Sequence, residues 1–289
     1  MPVILLVLVL WLVGGSQLAG QQQSPFSKIP WERGPVLGDL GKEAQVKVPD
    51  GCLFTTAEGT RQFLELNENP TSGRERGVVL CTVGDSVGGG QWFVVFEYDA
   101  SGYVKDDEKK TLDAAAMLAS IRKGTEAANA ERRKRGWSTM EITGWEREPY
   151  YDEATHNLTW AIRGASEGRT TLNHSVRLLG RKGVMSADLV VVPDHYAASL
   201  EAFNAVIGDY GYREGERYSE WRKGDKIAKY GLTALVGGAA GVVLVKTGLL
   251  QKFGKLIVVA LIAIAAAVKR LFFGKAKEAG EAGEAEARS

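Results

Sequence analysis

The residues able to do chemistry are few and widely spaced. His156, His174 and His195 are the three histidines, and none is paired at the helical or hairpin spacing of a metal site. A zinc centre would need them to converge in space with Cys52 or Cys81, so no metal is expected. Those two cysteines are an even count, which in an oxidising compartment permits a disulfide; two buried thiols are the equal alternative. Asp106, Asp107 and Glu108 form an acidic run that can hold a hard cation or act as hydrolytic carboxylates. The same composition also suits the solvated approach to a helix. Gly164-Ala165-Ser166-Glu167-Gly168 has the spacing of a nucleophile elbow, which requires a sharp strand-to-helix turn. A strand pattern follows it, so it reads as a hairpin loop. Ser86, inside the glycine-rich run 84–90, would need a positioned His and Asp as partners and reads as part of a turn. No catalytic residue and no cofactor site emerges.

The elements that would carry these residues begin after residues 21–45, where Gln, Ser, Pro and Gly without periodicity suggest a linker or arm. A strand signal over 46–54 is broken at Pro49-Asp50-Gly51, and 60–66 reads as a short helix. Residues 77–83 and 91–98, rich in β-branched and aromatic residues, make a hairpin around the glycine-rich run. A long helix follows over 112–135, with Thr111 as cap and Leu118, Ile121, Thr125 and Ala128 as its inward stripe. Arg132 to Arg135 complement its last carbonyls, and Gly136 ends it. The period then switches from helical to alternating. Segments 141–146, 158–163, 170–179 and 184–192 predict an antiparallel meander, closed by a helix at 196–207. Strands with helices on one side give the α+β class, over a domain at 46–225.

Both ends point to export and a membrane. An apolar run of about ten residues before Gly14-Gly15-Ser16 is the shape of a signal peptide over 1–20, too short for the ~20 residues of a span. Its amino end carries no Lys or Arg, which leaves an uncleaved anchor as the alternative. Residues 232–250 contain Lys246 as their one charge and are long enough to cross a bilayer. Segment 256–273 is a second apolar stretch, spanning or interfacial. Lys252, Lys255, Lys269, Arg270, Lys275 and Lys277 all follow the first stretch, which places that side in the cytoplasm and the domain outside. Gly237 and Gly241 have the spacing that lets membrane helices approach closely, a route to self-association. A tail at 274–289 is solvated. With a formal net charge of +1, nothing global attracts nucleic acid, and no nucleic-acid partner is expected.

An ordered set of motifs resembles the domain-of-unknown-function family 2167, a group of prokaryotic proteins described as membrane-anchored. It comprises residues 97–107 with Tyr103, Asp106 and Asp107, then Asn129, Arg132 and Trp137, then Gly144-Trp145, Tyr151-Asp152, and His156-Asn157-Leu158-Thr159-Trp160. Arg181 within 178–186, and Arg217 and Tyr218 ahead of Gly224-Asp225 and Tyr230, complete it. The resemblance covers residues 45–273. It implies membrane anchoring and supplies no activity; with the charge pattern above, the expected location is the inner membrane. The expectation is therefore a non-enzymatic module that faces the periplasm and binds an envelope protein or ligand. An envelope hydrolase using Asp106, Asp107 or His156 is the alternative.

Overall fold

Among the described residues, eleven strands divide between two antiparallel sheets. The computed structural model describes residues 25–82 and 91–236. The chain divides into two units, Met1–Val242 and Val243–Ser289, and every described residue belongs to the first. In chain order the elements are β1 (Glu32–Arg33), β2 (Val36–Asp39), β3 (Ala44–Val48), β4 (Leu53–Thr56), α1 (Ala57–Leu66), β5 (Glu75–Thr82) and β6 (Gln91–Asp99). Then come α2 (Ala114–Lys134), β7 (Glu141–Asp152), β8 (Asn157–Ser166), β9 (Arg169–Leu179), β10 (Val184–Val191), α3 (Tyr196–Gly208), β11 (Tyr210–Tyr212) and the short α4 (Leu232–Leu235).

The main sheet has eight strands in the order β1-β4-β5-β6-β10-β9-β8-β7. The meander expected over 141–192 is present, and its last strand β10 pairs with β6 to join it to the first hairpin. A second sheet orders β11-β3-β2. This confirms an α+β fold built on a large antiparallel sheet with few helices.

Parity along the strands sorts the core. Val79, Val94, Phe96, Leu172, Val176, Met185 and Leu189 point to one face, where the small sheet and Phe203 and Val206 of α3 cover them. The opposite face is covered at one side by α1 and at the other by Met117 and Ile121 of α2. Helices thus lie on both faces, not on one as the sequence suggested. The reason is visible in β9: Thr171, Asn173, Ser175 and Arg177 are polar yet no more than 7% exposed. Arg177 is paired with Asp188 at 3.0 Å, and Ser175 donates to the same carboxylate at 2.5 Å. Alternation that normally marks a solvent face here marks a buried polar row.

Several boundaries move for physical reasons. The supposed arm at 21–45 supplies β1, β2 and the start of β3, with Ile29 3%, Leu40 0% and Ala44 0% exposed. Gly38 hid the alternation, because it takes a core position where a Cβ would lie 2.9 Å from the Phe54 ring. The turn at Pro49-Asp50-Gly51 sends its flanking strands into different sheets. Helix α2 begins later than expected, capped by Asp113, whose side chain accepts from Ala116 N–H at 2.9 Å, while Thr111 donates to the Glu108 carbonyl. Met117, not Leu118, is the fully buried residue of its first turns.

Cys52 and Cys81 are joined. Leu53 faces Leu80 in the β4–β5 register, so the next pair outward is Cys52 and Cys81, with Cα atoms 4.4 Å apart. That is the spacing of a narrow antiparallel pair, about 4.5 Å. Both side chains are buried.

The domain also runs past 225. Backbone pairing of Tyr103 with Ile227 and a bond from Ala228 N–H to the Tyr103 carbonyl at 2.8 Å hold the later residues. Leu232 and Val236 are 0% exposed and pack with Met117 and Ile121. The first five residues of the expected span at 232–250 therefore fill the core of the domain. Among the described residues no helix is long and apolar enough to cross a membrane. The remainder of that span, Gly237, Gly241, segments 1–20, 256–273 and 274–289, and Ser86 lie outside the described residues.

Candidate ligand-binding cleft

The acidic run at 106–108 splits on folding. Asp107 is exposed, Glu108 turns back to accept from Thr233 N–H at 2.9 Å, and Asp106 alone faces the meander. There the Tyr151 hydroxyl donates to Asp106 Oδ2 at 3.1 Å and lies 3.2 Å from His156 Nδ1. Tyr151 lies near the end of β7 and His156 is the last residue of the β7–β8 hairpin turn, which Asp152 shapes by accepting from Ala154 N–H. His156 occupies the turn with φ of 55°, a conformation uncommon outside glycine.

Burial and the Asp106 charge push the Tyr151 phenol well above its usual range, so it remains protonated. It has one proton and gives it to the carboxylate. His156 Nδ1 is then placed as the donor toward the phenol oxygen, and Nε2 is the ring nitrogen left for other partners. Nε2 has no hydrogen-bond partner among the described residues. Such a nitrogen can accept from a ligand or take a proton from one.

A stack of rings surrounds the relay. Tyr103 lies on Tyr218 with centroids 4.4 Å apart and planes 12° from parallel, and Tyr218 meets His156 at 4.7 Å. Trp221 adds a fourth ring at 5.5 Å from Tyr103. The Tyr218 hydroxyl donates to the Val104 carbonyl at 2.9 Å, and burial raises its pKa far above the ordinary phenol value.

His156 and Tyr218 open onto a cleft of about 760 Å³ between the ends of β8, β9 and β11 and the end of α3. This lies within the ~300–1,000 Å³ range of small-molecule sites. Leu178, Leu179, Ile207 and Tyr212 supply its apolar wall, and Asn157, Asn204, Arg217 and Ser219 its polar rim. The side chains of Asn157, Asn204 and Ser219 have no hydrogen bonds among the described residues. Two contacts fix the loop that bears Arg217 and Tyr218. Arg181 grips Asp225 by donating from Nε at 2.7 Å and Nη2 at 2.8 Å, holding that carboxyl down to about 2, and the backbone at Gly180 bridges to Arg217.

The remaining singled-out residues are brought together elsewhere, in structural roles. Asn129 clamps Met140 by donating to its carbonyl at 2.7 Å and accepting from its N–H at 2.9 Å. Arg132 reaches Asn69 at 2.5 Å and the Ser138 carbonyl at 3.3 Å. Trp137 lies under the Arg135 guanidinium, Trp160 under that of Arg177, and Trp145 packs against the α2 side of the core. A second groove of about 640 Å³ lies beside Asn129, but Arg122, Glu126 and Asn129 in its wall are already bonded within the domain.

The elbow-like motif is a hairpin. Glu167 and Gly168 have φ of 49° and 74°, the two left-handed residues of a tight turn between β8 and β9, and Ser166 donates to the Thr139 carbonyl at 2.7 Å. His174 is buried, bonded through Nδ1 to Tyr196 at 2.8 Å, and desolvation depresses its pKa to about 4. No group of three or more His, Cys, Asp or Glu able to hold a metal occurs among the described residues. Trp221, Asn204 and Ser219 were not singled out from sequence, and only their neighbourhood to Arg217-Tyr218 could have flagged the first and last.

These features define an antiparallel α+β domain with a ligand-sized cleft beside an Asp–Tyr–His relay, a class that fixes no reaction. The chain belongs to the family described as "Protein of unknown function (DUF2167)", which it matches over residues 33–269. No curated protein matches it. Among solved structures it is similar to the solution structure of cyanobacterial PsbP (CyanoP) from Synechocystis sp. PCC 6803, at 11% identity and a TM-score of 0.39, over 68% of this chain and 98% of that one. It is also similar to the protein of unknown function PA94 from Pseudomonas aeruginosa, a putative regulator by its title, at 13% identity and a TM-score of 0.24, over 60% and 92%. Scores this low carry no argument about either fold or function.

Proposed function

We propose that the protein is an exported, membrane-tethered binding module whose working site is the cleft beside His156 and Tyr218. The observation that carries this reading is convergence: Tyr103, Asp106, Tyr151, His156 and Tyr218, distant in sequence, come together beside one cleft, which His156 and Tyr218 line and whose rim side chains Asn157, Asn204 and Ser219 make no hydrogen bonds among the described residues. The buried Cys52–Cys81 bridge supports export, because such bonds persist in oxidising compartments. The apolar sequence after residue 236 and the cations beyond it support a tether at the inner membrane with the domain outside.

A photo-crosslinking amino acid at Ser219, on the cleft rim, tests the binding role in intact cells. A discrete adduct on irradiation is expected there and not from a control at exposed Glu126. Adducts of equal yield from both positions, or none from Ser219, would count against the cleft.

The Asp106–Tyr151–His156 relay favours a second reading, an envelope hydrolase with His156 Nε2 as general base. Under it, hydrolysis of activated phosphate or carboxylate esters is lost in His156→Asn. Activity at buffer level in the unaltered chain would remove this reading and leave the first intact.

A further inference from the structure

Between the cleft and α4 the chain reads Trp221-Arg222-Lys223-Gly224-Asp225-Lys226-Ile227-Ala228-Lys229. Two large apolar side chains are held out to solvent here, Trp221 at 40% and Ile227 at 44% exposed. Around them Arg222, Lys223, Lys226 and Lys229 are exposed as well. The one carboxylate of the segment, Asp225, is neutralised by Arg181. Arg222, Lys223 and Lys229 enter no ion pair among the described residues, so the surface carries uncompensated positive charge.

The segment is not a loose loop. Tyr103 N–H donates to the Lys226 carbonyl at 2.8 Å, Ala228 N–H donates back to Tyr103 at 2.8 Å, and one face of Trp221 rests near the Tyr103 ring. Exposed apolar groups on a pinned backbone lose little freedom when they bind. Seven residues after Lys229 the described chain ends at Val236, and the sequence beyond is largely apolar to residue 250. An indole beside several cations, close in sequence to an apolar segment, is the composition of a membrane–water interface: the ring sits at headgroup level and the cations meet lipid phosphates.

We infer that this segment docks the domain on an anionic bilayer surface, with Trp221 and Ile227 entering the headgroup layer and Arg222, Lys223 and Lys229 on lipid phosphates. The inference rests on the tether proposed above and adds to it a second, electrostatic contact.

The full chain reconstituted into phosphatidylglycerol–phosphatidylcholine vesicles tests it, with and without bromine on the acyl chains. Flotation reads the tether, and bromine quenching of tryptophan reads the docking. The chain floats, its emission falls in brominated vesicles, and Trp221→Phe removes most of that fall. Arg222→Glu with Lys223→Glu and Lys229→Glu cuts the fall severalfold, as does replacing phosphatidylglycerol with phosphatidylcholine. Ile227→Ser, which spares the Trp221–Tyr103 contact, weakens it by a smaller factor. Flotation with quenching unchanged by Trp221→Phe overturns the docking and leaves the tether. Protection of Trp221 from aqueous iodide without bromine quenching assigns the surface to a protein partner and also overturns it. A chain that fails to float overturns the tether and the docking together.

Discussion

The Tyr151 hydroxyl stands 3.2 Å from His156 Nδ1, and through it a carboxylate on the segment before α2 controls an imidazole at the rim of the cleft. The phenol is the middle term of a relay that ends at the imidazole Nε2.

Tyr151→Phe breaks this link without changing ring volume. Nitrogen NMR of His156 is expected to show a dominant Nδ1–H tautomer in the unaltered chain and a shift toward the Nε2–H tautomer in the variant. Loss of the bond costs about 1 kcal/mol of stability by chemical denaturation. An unchanged tautomer ratio would mean that Asp106 does not act on His156 through Tyr151.

The Cys52–Cys81 bridge closes a loop of sequence separation 29. Restricting the unfolded chain by that loop is worth about 3–4 kcal/mol on the entropic account. Cys52→Ala with Cys81→Ala should lower the denaturation free energy by that amount, and reductant should do the same to the unaltered chain while leaving the double variant unaffected.

His174 gives the domain a pH dependence. Its folded pKa lies at about 4, below the ordinary 6.5, so between these values the unfolded state binds a proton that the folded state refuses. Stability is complete above about pH 6.5 and is lost as pH falls through 4, by roughly 2–3 kcal/mol at pH 4.5. Denaturation curves at pH 7 and 4.5 check this, and His174→Gln should flatten the difference.

Asn129→Ala leaves the Met140 N–H and carbonyl without their partners inside the α2–β7 contact. Stranding two buried backbone groups predicts a loss of about 2–4 kcal/mol. The clamp lies away from the cleft, so ligand-dependent adducts at Ser219 should survive under conditions where the variant is folded.

Much of the scaffold was legible because its signals are local. The basic end of α2, the alternation of β8 and the glycine-bearing turn at Glu167-Gly168 are each determined by neighbours in sequence. What was lost depends on distant partners. Gly38 masks a strand because its missing side chain makes room for Phe54, from another strand. Leu232 to Val236 look like the start of a membrane segment because apolar residues carry no mark of whether lipid or Met117 will cover them. The candidate site was legible only as a set of types. Asp106, Tyr151, His156 and Tyr218 could be singled out, but that Asp106 and not Asp107 joins them is decided by how residues 103–108 thread between the meander and the 216–230 loop.

The most direct test of the cleft as the working site is to fill it. Gly208 lines it, and a Cβ there would meet nothing within 4 Å, so Gly208→Trp places an indole in the cleft without displacing core atoms. With the photo-crosslinker at Ser219, the predicted result is an adduct lost at unchanged thermal stability. An adduct that persists in the filled, folded chain would contradict the account.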